Sequence, residues 1–139
     1  MGPMIHSTVR SITDVGAEER EALLRFGIRS PVDLLIEAYH PLSREVICAS
    51  TGIEESRLLR CLGIADLCRV PGVGSQTARL LFQADVTTAS VLAASNAYKL
   101  TRRLRALNRS ERVCRAAPGR ATVAEWIEAA RALAPGVEV

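Results

Sequence analysis

An internal repeat limits what this chain can fold into more than any other feature. When the sequence is shifted by 58 residues, Ile12-Thr-Asp-Val-Gly16 aligns with Val70-Pro-Gly-Val-Gly74. Apolar positions then match apolar positions over about 24 residues without a gap. A looser match follows, of Leu58–Leu62 with Val123–Ile127, once about seven residues are inserted in the second copy. The chain is therefore expected to contain two copies of one structural unit.

The repeat also sets the expected boundaries. We assign residues 11–65 to the first unit and residues 66–133 to the second. Residues 1–10 are expected to be an extension, and Gly-Pro ahead of a second methionine there resembles a cloning remnant. A chain of 139 residues, 48% of them hydrophobic, is large enough for both units to share one compact domain.

The local patterns are helical, with apolar residues three and four apart and no long alternating stretch. Ser30-Pro31-Val-Asp33 is a typical helix start, and Thr122-Val-Ala-Glu125 is a capping box predicted to open the last helix. Three glycines stand where helices are expected to end: Gly27, Gly52 and Gly63. His40-Pro41 indicates a break between two helices.

We therefore predict an all-α fold of two five-helix units, packed about a pseudo-two-fold axis around a single core. The residues expected in that core are Leu23, Ile28, Leu34, Leu81, Val86, Leu92 and Trp126. The other aromatic residues stand at helical core spacings too, namely Phe26, Tyr39, Phe82 and Tyr98. Aromatic residues at such positions do not indicate a base-stacking platform.

Charge is distributed unevenly between the two units. From Asp14 to Glu55 there are nine acidic residues against four arginines, a net charge of −5. From Lys99 to Arg120 there are eight basic residues against Glu111 alone, a net charge of +7. Clustered like charge opposes folding unless something of opposite sign offsets it, so the basic segment 99–120 predicts an anionic partner.

The second unit opens with the strongest motif in the chain, Val70-Pro71-Gly72-Val73-Gly74. Its glycines permit a tight turn with positive φ between two helices. Backbone N–H groups at the start of the next helix then point at one place, which is an anion site before any side chain contributes. Ser75 and Thr77 are expected to add hydroxyl donors, and Arg79 follows one turn later. The alternative is that Gly72 and Gly74 only shape the turn.

At these residues the chain resembles the helix-hairpin-helix superfamily, whose signature is apolar-x-Gly-apolar-Gly. The resemblance implies a hairpin that binds a nucleic-acid backbone phosphate without reading bases, and a monovalent cation held by the carbonyls of the second hairpin loop. Over most of its length the chain also resembles a bacterial tandem helix-hairpin-helix family known only as a domain of unknown function. The segments that carry this likeness are Ile28–Leu35, Ala65–Arg69 and Val123–Ile127.

The first hairpin departs from that signature. Asp14 occupies the first glycine position, and Glu18, Glu19 and Glu21 follow it. These carboxylates would repel a phosphate. The first unit is therefore interpreted as a degenerate repeat that is structural or binds a protein partner.

The residues do not indicate an enzyme. The second hairpin is similar to that of DNA glycosylases, but Gln76 replaces their nucleophilic lysine and Ala94 stands at the spacing of their aspartate. His6 and His40 are isolated, so no catalytic set can be assembled around either. We expect a binding protein without catalytic residues.

Cysteine use and the chain ends indicate a cytoplasmic protein. The four cysteines, Cys48, Cys61, Cys68 and Cys114, have no metal-ligand spacing and are expected to be buried, reduced thiols. No stretch has the length of a membrane span or a signal peptide. Apart from the loop cation implied by the resemblance, we expect no cofactor, no metal and no membrane partner.

Two functions remain open at this point. The first is sequence-independent binding to DNA or RNA backbone, with DNA favoured, through the second hairpin and the arginine-rich segment. The second is a protein-interaction or scaffold module whose hairpins only pack. The residues predicted to bind nucleic acid are Gly72, Val73, Gly74, Ser75, Thr77, Arg79, Arg102, Arg103 and Arg105.

Overall fold

The computed structural model describes residues 17–139, which form eight α-helices and, over that range, no β-strand. The helices are α1 (Ala17–Phe26), α2 (Pro31–Glu37), α3 (Pro41–Thr51), α4 (Glu55–Leu67), α5 (Ser75–Gln83), α6 (Ala89–Ala93), α7 (Ala97–Glu111) and α8 (Arg120–Arg131). The predicted all-helical class is confirmed for these residues. The first hairpin, with Asp14, lies outside the described residues.

Helix order and helix pairing are the same in the two described halves, and the helix spacing is partly the same. Helices α1 and α5 begin at Ala17 and Ser75, which are 58 residues apart. Helices α4 and α8 begin 65 residues apart, at Glu55 and Arg120, because α7 is longer than α3 and the loop before α8 is longer than the loop before α4. Helix α2 contacts α4 as α6 contacts α8, and α1 contacts α3 as α5 contacts α7. Helix α4 contacts α5 in addition and so joins the halves.

The predicted core residues are all buried, but the prediction of a single core is wrong. Leu23, Ile28 and Leu34 belong to one apolar cluster. The other four belong to a second cluster, namely Leu81, Val86, Leu92 and Trp126. Helix α4 takes part in both clusters, with Leu58 in the first and Leu67 in the second.

The prediction of five helices per unit is also wrong for the second half. Residues 68–133 hold four helices, α5 to α8, and residues 112–119 form a loop. The predicted boundary at residues 65 and 66 falls inside α4. One helix therefore completes the first half and leads directly into the second hairpin.

Gly63 does not end a helix, contrary to expectation. It lies inside α4 and is buried, and a β-carbon there would collide with the Phe82 ring and the Thr87 carbonyl oxygen. The missing side chain lets α4 and α5 pack closely. Gly27 and Gly52 do follow α1 and α3, with φ of +103° and +76°.

Local signals at helix starts were correct in one case and wrong in another. Ser30 caps α2 as predicted, since its Oγ accepts a hydrogen bond from the Asp33 N–H at 3.1 Å. Helix α8 instead begins at Arg120 after Gly119, so Thr122 lies within its first turn rather than at its cap.

The core assignment of Tyr39 and Tyr98 is wrong, because each is 53% exposed.

Residues 134–139 run back from α8 to the first half of the chain. Val137 is buried in the first apolar cluster. Arg69 Nη2 donates to the Ala134 carbonyl at 2.6 Å, and Arg44 Nη1 donates to the Glu138 carbonyl at 3.2 Å. This C-terminal segment therefore connects the two halves a second time.

A buried carboxylate lies under that segment. Asp66 is 1% exposed, and its Oδ1 accepts from Arg69 Nη1 at 2.8 Å. Its Oδ2 accepts from the Ala89 N–H at 2.8 Å, at the start of α6. A β-carbon at Gly136 would collide with both Asp66 and Arg69. The Asp66 side chain thus links α4 to α6, and through Arg69 it is connected to the C-terminal segment.

The four cysteines are free thiols, of which Cys61 and Cys114 are buried while Cys48 and Cys68 are only half-buried. Burial raises the pKa of Cys68 to about 11. Among residues 17–139, no group of three or more His, Cys, Asp or Glu side chains is placed to hold a metal ion. None of the eight helices described has the length and apolar character needed to cross a membrane.

Candidate nucleic-acid interface

The second hairpin is a tight turn anchored by two buried valines. The Val73 N–H donates to the Val70 carbonyl at 3.0 Å, and both side chains belong to the second apolar cluster. Because Val73 is buried, only its backbone is available to a ligand. Pro71, Gly72 and Gly74 are exposed at the tip.

The two glycines of the hairpin have different roles. Gly72 has φ of +89°, and a β-carbon there would lie 3.2 Å from Nε1 of Trp126. The turn and its packing therefore require glycine at this position. Gly74 has φ of −94°, and a β-carbon there would meet nothing within 4 Å. No feature of the fold requires glycine at residue 74, and the space above it is open to a ligand.

The first turn of α5 presents backbone donors rather than the predicted threonine hydroxyl. Thr77 Oγ1 accepts from the Gly74 N–H at 2.9 Å and donates to the Gly74 carbonyl at 3.0 Å. Its hydroxyl therefore stabilises the turn itself instead of pointing to a phosphate. The N–H groups of Ser75 and Gln76 are in the first helical turn, where α-helical geometry supplies no acceptor. These two donors are available to an anion.

Arg79 faces the loop that follows α7. Burial raises the pKa of the Cys114 thiol, and the nearby positive charge of Arg79 lowers it by a smaller amount. Arg79 is itself only half-exposed. Its positive charge is therefore close enough to the loop after α7 to affect Cys114.

A recess of about 690 Å³ opens between the first turn of α5 and this loop. We call it the arginine recess, and its lining residues are Gln76, Asn108, Arg109, Arg112, Val113, Cys114 and Arg115. The sequence predicted a basic segment here but did not place these three arginines in the site. The recess brings the basic segment and the hairpin helix together.

The loop is held by a pair of hydrogen bonds. Asn108 Nδ2 donates to the Cys114 carbonyl at 3.0 Å, and Asn108 Oδ1 accepts from the Cys114 N–H at 2.8 Å. Between them, Arg112 ends α7 with φ of +51°, in the left-handed region. The backbone that carries Arg112 and Arg115 is thus fixed before any ligand arrives.

The recess arginines lack acidic partners. Elsewhere in the second half, Arg103 pairs with Asp85 and Arg131 with Glu128, each at 2.6 Å. Within residues 17–139, no carboxylate forms an ion pair with the recess arginines, Arg109, Arg112 and Arg115. Three unneutralised cations therefore share one concave surface.

The arginines predicted from the sequence lie mainly on other surfaces of α7. Arg102 is stacked over the Tyr98 ring at 5.8 Å, and Arg120 lies over the same ring at 5.5 Å. Arg103 is engaged with Asp85, while Arg105 is exposed. A second basic surface thus surrounds Tyr98, separate from the residues that line the recess.

A family model described as a domain of unknown function, DUF4332, matches residues 13–133. The chain belongs to the DUF4332 family. The match covers the second hairpin and all eight described helices, so this hairpin and the recess lie within the DUF4332 domain. Comparisons with curated proteins and with solved structures found no match.

Proposed function

We propose that this DUF4332 domain is a tandem pair of helix-hairpin-helix repeats that binds nucleic-acid backbone, preferably DNA, without reading bases. The same helix pairing in the two halves, and the 58-residue offset between α1 and α5, support the repeat. The open space over Gly74 and the donors of Ser75 and Gln76 support phosphate contact at the second hairpin. The proposal concerns binding without catalysis, since Gln76 in the glycosylase lysine position carries an amide that is not a nucleophile.

The observation that carries the proposal is the position of the unpaired arginines. Arg109, Arg112 and Arg115 line the same recess as Gln76, in the first turn of the hairpin helix. Phosphate contacts of this kind supply affinity that is independent of sequence. A hairpin that only packed would gain nothing from three like charges beside it, because their repulsion opposes folding.

The loop cation implied by the helix-hairpin-helix resemblance remains part of this proposal. The Val70 carbonyl would be one of its ligands, and it already accepts a hydrogen bond from the Val73 N–H. A carbonyl oxygen has a second lone pair, so this bond leaves room for a cation. The backbone donors and arginines described above do not depend on it.

A protein-interaction module is the second candidate, and one observation favours it. An apolar groove of about 740 Å³ lies between α2 and the C-terminal segment. Its apolar lining includes Leu35, Ile36 and Tyr39 from the first half and Val137 from the C-terminal segment, and Ile36 is 67% exposed. Exposed apolar surface beside an acidic half of the chain is typical of a contact with another protein.

A salt titration tests the nucleic-acid proposal. We expect micromolar or weaker affinity for a short duplex, with a log–log salt slope of roughly −3 to −4.5 if about three to five phosphates are neutralised. Replacing Arg109, Arg112 and Arg115 with alanine should flatten that slope by about one unit or more. Fluorescence anisotropy at several salt concentrations measures both quantities.

The matched control for this titration removes the same charge from other positions. The triple alanine variant of Arg102, Arg103 and Arg105 should flatten the slope less, because Arg103 already has a carboxylate partner. An equal effect of both triple variants would show that only total charge matters. If the wild-type protein binds neither DNA nor RNA at about 50 mM salt, the protein-interaction function replaces this one.

A further inference from the structure

We propose that the arginine recess binds a phosphate monoester at the end of a nucleic-acid strand, so that the protein prefers phosphorylated ends to continuous backbone. This inference rests on the proposed function and names the ligand of the same site. Three features of the recess carry it: its shape, its charge and the rigidity of its loop.

The shape favours a group that protrudes from its molecule. The recess has a volume of about 690 Å³ and is open to solvent, with Gln76 of α5 on one side and residues between 108 and 115 on the other. A phosphodiester within a continuous strand carries a nucleotide on both sides, which holds it at the surface of the duplex. A terminal phosphate has one neighbour only and can enter between the two walls.

The charge favours a dianion. Arg109, Arg112 and Arg115 line the recess, and no carboxylate is among its lining residues. A phosphodiester carries a single negative charge, whereas a monoester carries about −1.5 to −2 at neutral pH and offers three acceptor oxygens. Guanidinium groups bind such oxygens in pairs, with charge-assisted hydrogen bonds. Arg79 adds a further positive charge near Cys114.

The rigidity of the loop favours a defined ligand over diffuse attraction. The double hydrogen bond of Asn108 to Cys114 fixes the residues between them, and Arg112 is held in a left-handed conformation. A loop backbone that is already ordered loses less conformational entropy on binding. Flexible arginines would suffice for non-specific backbone contact alone.

The test uses one DNA hairpin with a single open end, prepared with a 5′-phosphate, a 3′-phosphate or hydroxyls only, and a closed dumbbell that has no end. We expect one phosphorylated form to bind roughly tenfold more tightly than the hydroxyl form, which should match the dumbbell. The preference should shrink as pH falls below about 6, where the monoester dianion takes up one proton and becomes a monoanion. Arginines stay charged throughout, so the change is assigned to the phosphate.

Variants separate this inference from general binding. Arg112→Ala with Arg115→Ala should reduce the ratio between phosphorylated and hydroxyl ends to about one, whereas Arg25→Ala, which removes an exposed arginine of α1, should leave the ratio unchanged. Equal affinity of the wild-type protein for all four DNA forms overturns the inference and leaves the proposed function intact. Absence of binding to every form overturns both. Tighter binding of inorganic phosphate or of a phosphoserine peptide than of a phosphorylated end also overturns the inference, because the recess would then serve another phosphate source.

Discussion

Replacing Asp66 with alanine is expected to lower the free energy of unfolding by about 3 kcal/mol, the low end of the cost of breaking a buried ion pair. The variant leaves Arg69 without its carboxylate and the Ala89 N–H without its acceptor, in a part of α6 that is buried. We expect a loss at the low end of this range because the Arg69 side chain is 22% exposed and is partly rehydrated in the variant. Urea unfolding at constant pH measures the change.

Two variants check the cause of that loss. Asp66→Asn keeps an acceptor for the Ala89 N–H but removes the charge, so its effect should be intermediate. Glu128→Ala removes an exposed pair with Arg131, in which the glutamate side chain is 71% exposed, and should change stability by less than about 0.5 kcal/mol. A loss for Asp66→Ala no larger than that for Glu128→Ala would contradict the role of the buried network.

Replacing Gly74 with aspartate is expected to lower affinity for duplex DNA by roughly tenfold or more, because a carboxylate then stands where a phosphate approaches. The thermal stability of the fold should not decrease. Gly74 has an ordinary negative φ and open space above it, and aspartate is a better helix N-cap than most residues. Anisotropy titration and thermal unfolding of the same preparation measure the two effects separately.

Gly74→Asn is the matched control, since asparagine has nearly the same shape, caps a helix equally well and carries no charge. It should lose clearly less affinity than Gly74→Asp. Equal losses would mean that the side chain blocks access and that charge is not the cause. Unchanged affinity in both variants would show that the second hairpin does not contact the nucleic acid.

The features that were predicted correctly from the sequence depend on residues close together in the chain. Ser30 was identified as a helix cap because its acceptor role concerns the Asp33 N–H, three residues away. Gly52 was identified as a helix end because a left-handed residue after a helix favours glycine. Helical periodicity gave the all-α class for the same reason.

Apart from the misplaced start of α8, the errors concern contacts between distant parts of the chain. Gly63 looks like Gly52 in sequence, and only the position of Phe82 and Thr87 against it shows that it serves close packing. Tyr98 stands at a helical core spacing, yet its side chain is exposed to solvent. Arg102 lies over one face of its ring. A single core was predicted because no local pattern shows that the apolar residues divide into two clusters that share helix α4.

The candidate site was predicted in part for the same reason. The motif around Gly74 is local, so the hairpin could be found from the sequence. Which arginines of the basic segment face it depends on how α7 packs against α5, so Arg112 and Arg115 were not singled out. The sequence does not indicate the hydrogen-bond network of Asp66 and Arg69, because one of its acceptors, the Ala134 carbonyl, lies 65 residues beyond Arg69.

The C-terminal segment has a consequence for how the protein is made. Residues 134–139 emerge from the ribosome after every helix of the domain, yet Val137 belongs to the apolar cluster of the first half. Protein domains generally begin to fold as their N-terminal parts emerge. Here the apolar cluster of the first half gains Val137 only after the second half has been translated.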